Sequence, residues 1–157
     1  MKTMKLKLFA IIATLTFGMT SCNDDDEAIV VVEDNTITGI ASDNANLSSL
    51  VAALNRADLT NTLQTTGPYT VFAPTNAAFT TFLQANGFAN LEAVPIPVLK
   101  EILLNHVVNG AAQSSSLTNN MYLKTLAKGT ASSTNTLSMH VNTSSGVKLN
   151  GVSNVTT

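Results

Sequence analysis

The chain has 157 residues, enough for one ordinary domain behind a leader, and 45% of them are apolar, so a real core can form. Charged side chains make up only 11%, with Ser, Thr and Asn filling the surface, a balance that suits an exported domain better than a cytosolic enzyme. The net charge of -2 conceals an asymmetry: without Lys2, Lys5 and Lys7, five basic residues face ten acidic ones, a balance of -5 that excludes nucleic acid as a partner.

The N-terminus has the three parts of an export signal. Lys2, Lys5 and Lys7 give a positive end, and Leu8 to Phe17 give an apolar run too short to span a bilayer. Gly18-Met19-Thr20-Ser21 then leads into Cys22, the only cysteine of the chain, so no intramolecular disulfide can form. Met19-Thr20-Ser21-Cys22 resembles the lipobox of bacterial lipoproteins, with Met19 where Leu is usual. The resemblance implies cleavage after residue 21 and a membrane anchor of lipid on Cys22. The acidic run Asp24-Asp25-Asp26-Glu27 resembles a surface-export signal of some Gram-negative lineages, which implies outward display on the outer membrane, and it also suits a solvated tether. The expected division is therefore 1–21 signal peptide, 22–35 lipidated cysteine and tether, and 36–157 folded domain.

Ala28 to Glu33 is readable as a short strand or as linker. Asn46-Leu47-Ser48-Ser49 offers a helix start, and Leu47, Leu50, Val51 and Leu54 recur at helical spacing. A second short helix carries Leu59 and Leu63 and stops at Gly67-Pro68. Tyr69 to Ala73 reads as a buried strand ended by Pro74, after which Thr75 or Asn76 caps a helix burying Phe79, Phe82 and Leu83 and closing at Asn86-Gly87. Pro95 and Pro97 open another helix, with Val98, Leu99, Ile102, Leu103 and His106 on one face and Asn109-Gly110 at its end. From Met121 the period changes to strands, at 121–126, 136–141, 147–149 and 152–155, with Asn150-Gly151 as a hairpin turn. Helices followed by strands predict an α+β domain.

Thr70-Val71-Phe72-Ala73-Pro74-Thr75-Asn76-Ala77-Ala78-Phe79 resembles the first signature of fasciclin-type domains. Leu103 to Val108 is similar to the second signature, with Asn105 where many members carry Tyr, and Gly146 to Val152 is similar to the late hairpin. The likeness covers about Thr36 to Thr157 and implies a wedge-shaped β-sandwich with helices packed in its N-terminal half. It singles out Thr75, Asn76, Asn105 and His106. Members of the family continue into one more strand, whereas this sequence stops at Thr157, so the expectation is a fragment, or else a domain short of its last strand.

For His106 the polar turn at Thr75-Asn76 is the expected partner of a buried imidazole, and an adhesive role is the functional alternative. His106 and His140 lie on different elements without spaced partner ligands, and no HExxH, CxxC, phosphate loop or nucleophile elbow occurs. Glu101 reads as a solvated mid-helix residue, and His140 as exposed or at a sheet edge. These features argue against an enzyme and imply no metal or cofactor. The resemblance implies a cell-surface module binding protein or polysaccharide. A structural envelope or biofilm-matrix component without a specific ligand is the other class that fits.

Overall fold

The computed structural model describes residues 36–156 apart from Thr66, Ala131 and Ser133. The leader, Cys22, the acidic tether and the strand considered at 28–33 lie outside the described residues.

Helix α1 (Ile37–Ser42) starts at Thr36, whose hydroxyl accepts the Gly39 amide and so satisfies one of the free donors of a helix start. A 3-10 turn (Ala45–Leu47) leads directly into α2 (Ser48–Arg56), and α3 (Thr60–Thr65) follows. In α2 the buried residues Leu50, Ala53 and Leu54, with Ala57 just beyond, fall at helical spacing on one face. Strand β1 (Tyr69–Val71) and α4 (Asn76–Ala85) meet at Pro74, and α4 ends where Gly87 takes the left-handed conformation. A 3-10 turn (Leu91–Ala93) precedes α5 (Ile96–Asn105), with prolines at its N-terminus where a missing N–H costs nothing.

The second half is stranded: β2 (Val107–Asn109), a 3-10 turn (Ser114–Ser116), β3 (Met121–Lys124), β4 (Ser138–Asn142), β5 (Lys148–Leu149) and β6 (Ser153–Asn154). β1 and β2 form an antiparallel pair with Val71 opposite Val107, and β3-β4-β5-β6 form an antiparallel sheet in that order. The two sheets are joined where Val108 bridges Thr125 and the Leu126 amide donates to the Val107 carbonyl at 2.9 Å. The α+β architecture predicted from the sequence is thus present. Asn150 and Gly151 both have positive φ, as a two-residue hairpin turn of this type requires.

Two cores result. The larger joins Leu50, Leu54, Leu59, Leu63, Phe79, Val94, Leu99, Leu103 and Val107. The smaller lies under the four-stranded sheet, where Met139, Val141 and Leu149 are packed by Phe72, Leu117, Met121 and Leu123. Phe72 and Phe79 flank Pro74 yet serve different cores, so this corner divides the interior between helices and sheet.

Four local expectations are corrected. The helix expected to run on to Asn109-Gly110 stops at Asn105, with His106 as its C-cap, because Val107 and Val108 pair with β1. β-Branched residues fit that extended backbone better than another helical turn. Val98 is 45% exposed and not on the buried face shared by Leu99 and Leu103. β1 is only half-buried. Glu101 is not a free, solvated carboxylate: it is half-buried, and its Oε1 accepts the Gly129 amide.

Candidate functional site

Thr75 and Asn76 meet at the corner between β1 and α4. The Thr75 hydroxyl accepts the Ala78 amide at 3.4 Å, a long capping bond. Asn76 does more. Its Oδ1 accepts the Ser49 amide at 2.9 Å, and its Nδ2 donates to the Ala45 carbonyl at 2.9 Å and the Ser48 hydroxyl at 3.0 Å. One side-chain amide thereby caps α2 from outside and holds it to the start of α4.

Asn105 and His106 lie elsewhere, at the exit from α5. Asn105 Oδ1 accepts the Thr125 hydroxyl at 3.1 Å, and Thr125 is only 1% exposed at the joint between the sheets. His106 is half-buried, and its ring does not use the Thr75-Asn76 turn as expected. Nδ1 lies 2.8 Å from the Ile102 carbonyl, which can only accept, so Nδ1 carries the proton. Its backbone carbonyl accepts the Phe72 amide at 2.9 Å, extending the β1–β2 pairing by one residue. The hydrogen bonds of each pair tie together different parts of the fold. Among the described residues no group of three His, Cys, Asp or Glu side chains could hold a metal ion.

Between α2, α4 and the 3-10 turn at 91–93 lies an open cleft of about 310 Å³ lined by Ser48, Ser49, Ala52, Phe79, Leu83 and Glu92. Arg56 Nη2 donates to the carbonyls of Glu92, a lining residue, and of Val94.

The family model of the Fasciclin domain matches residues 45–157. The chain belongs to the fasciclin domain family. The chain is similar to two proteins of Synechocystis sp.: Protein sll1483, 43% identical over 89 residues (54% of this chain, 44% of that protein), and Uncharacterized protein sll1735, 42% identical over 74 residues (47% and 54%). The chain thus spans about half the length of the curated relatives it matches. Fasciclin domains are in general adhesion or binding modules, which directs attention from clefts to exposed surfaces.

The exposed face of the four-stranded sheet in this fasciclin domain was not singled out by sequence reasoning. Its cross-strand pairs are Lys124 with Ser138, Tyr122 with His140, Asn142 with Lys148, and Lys148 with Asn154. Met121, Leu123, Met139, Val141 and Leu149 alternate with them and pack into the small core, which fixes the other residues outward. Tyr122 is 67% exposed, and its ring centroid lies 5.1 Å from that of His140. His140 Nε2 is 3.3 Å from Asn120 Oδ1. His140 sits on an interior strand of the sheet and not at an edge. A signal for this face did exist in the sequence: no Asp or Glu follows Glu101, while Lys124, Lys128 and Lys148 do.

Proposed function

We propose that the protein is a bacterial envelope lipoprotein, anchored through Cys22 to the outer membrane and facing outward, whose fasciclin domain binds extracellular protein or polysaccharide. The observation that carries the reading is the family match over residues 45–157, which takes in most of the chain outside its leader. The leader supports the anchoring: a positive end, a short apolar run and a lone cysteine followed by acidic residues. Each buried methylene of an acyl chain contributes about 0.8 kcal/mol, so several chains on one cysteine give durable attachment. Weak contacts of single domains then add up by multivalency on a crowded surface.

Two measurements test this. Labelled palmitate is expected to enter the wild-type protein and not the Cys22→Ser form, and protease added to intact cells is expected to remove the domain. Failure of labelling overturns the anchor, and full protection overturns the outward display. Probing an array of glycans and matrix proteins is expected to give saturable binding to one ligand class. A blank array with altered biofilm in a deletion strain favours a structural role instead.

A further inference from the structure

We infer that the outer face of the β3–β6 sheet, centred on Tyr122 and flanked by Lys124 and Lys148, is a binding surface for a carboxylated polysaccharide such as a uronate polymer. This deepens the binding-module reading and rests on it.

Three observations support the assignment. The first is the aromatic platform. Tyr122, on the outer strand β3, points away from the small core and leaves two-thirds of its surface to solvent. Its ring is nevertheless held in place, since it packs on His140, which is in turn beside Asn120 Oδ1. Asn120 reaches that position with φ 63, a left-handed backbone that asparagine tolerates better than most residues. A flat ring fixed in advance offers apolar contact to the C–H face of a sugar with little entropy left to lose.

The second is the ring's surroundings. Ser138, Asn142, Asn150 and Asn154 bring hydroxyl and amide groups to the same sheet. Those groups both donate and accept, which matches sugar hydroxyls.

The third is charge. From residue 102 to 157 the chain contains no carboxylate side chain, and Glu101, which reaches the β3–β4 connection, is engaged by the Gly129 amide. Lys124 and Lys148 lie two strands apart and four residues offset, which puts their Cα atoms about 16 Å apart, with His140 midway and the Tyr122 ring packed beside it. That spacing suits carboxylates spread along a sugar chain. It is too sparse for duplex DNA, which carries one charge per ~1.7 Å of axis.

The full chain, extracted in detergent, is to be titrated with alginate, neutral dextran, polyglutamate and duplex DNA. Alginate is expected to bind saturably, at least about tenfold more tightly than the other three. Tyr122→Ala should weaken alginate about tenfold, the usual scale for truncating an aromatic anchor. Lys124→Gln with Lys148→Gln should weaken it similarly and flatten its dependence on salt. The double lysine variant reads the same surface should Tyr122→Ala fold poorly. Polyglutamate or DNA binding as well as alginate overturns the proposal, because charge alone then suffices. So does unchanged alginate binding by either folded variant. Saturable binding of a different ligand class, unaffected by these substitutions, overturns this face while leaving the binding-module reading standing. No binding here together with a blank glycan and protein array overturns both.

Discussion

The Thr125 hydroxyl lies 3.1 Å from Asn105 Oδ1, joining the last residue of α5 to the bridge residue just past β3 at which the two sheets meet. The same hydroxyl is also 3.1 Å from the Leu137 carbonyl, so its single proton serves one of two acceptors. Thr125→Val keeps the shape and removes the donor. It is expected to lower stability by about 1–2 kcal/mol, since Asn105 Oδ1 loses its donor while the Leu137 carbonyl keeps the Thr125 amide. Urea unfolding should show a lower midpoint at unchanged slope. An unaltered midpoint would mean that the bond contributes nothing.

Asn76 should matter more than its neighbour Thr75. Asn76→Ala removes three hydrogen bonds of 2.9–3.0 Å that link α4 to the start of α2, whereas Thr75→Ala removes one bond of 3.4 Å. The expected losses are about 2–3 kcal/mol and under ~1 kcal/mol. Asn76→Asp, which keeps the acceptor for Ser49 but not the two donors, should fall between them in the same unfolding assay.

How far the sequence foretold these roles depends on the reach of each interaction. Pro74-Thr75-Asn76 ahead of an apolar helix was legible as a cap because capping partners lie within three residues. The role of Asn76 was not, since Ala45, Ser48 and Ser49 lie about thirty residues away and no local pattern encodes them. The same reason explains His106. Its helical periodicity with Leu99 and Leu103 reads on smoothly, while the strand that stops the helix, Tyr69–Val71, is distant in the chain. Helix α1 escaped notice because six residues show too little periodicity, and Thr38 and Ala41 are buried by packing against α2 and α3. The strands from Met121 onward and the Asn150-Gly151 hairpin were legible, being local in both alternation and turn chemistry. The sheet's outer face was not, although the alternation that creates it was: only the register shows that Tyr122, His140 and the lysines share one side.

Arg56 offers a third test. Its Nη2 holds two carbonyls of the 91–94 turn, at Glu92 and Val94, and its buried Nε has no partner among the described residues. Arg56→Lys keeps the charge but ends in an ammonium on a shorter stem that stops short of the Nη2 position, so it should recover little of the damage caused by Arg56→Ala. Hydrogen exchange should speed up across residues 91–94 in both variants, with a stability loss of about 1–3 kcal/mol. Exchange unchanged in the lysine form would show that charge alone suffices.

The corrected orientation of α5 can be checked directly. Leu103, 2% exposed, is expected to cost about 2–5 kcal/mol on truncation to Ala. Val98→Ala, at a position 45% exposed, should stay within about 0.5 kcal/mol. Similar losses at both sites would restore Val98 to the buried face.

The uneven placement of carboxylates also acts at a distance. Residues 36–101 hold Asp43, Asp58, Glu92 and Glu101 against Arg56 and Lys100, while the residues beyond carry lysines alone. Should a polyanion be the ligand, as proposed, this asymmetry would turn it toward the strands before any contact forms. Rising ionic strength should slow capture more than it hastens escape, because screening weakens the long-range pull and leaves ring stacking largely intact.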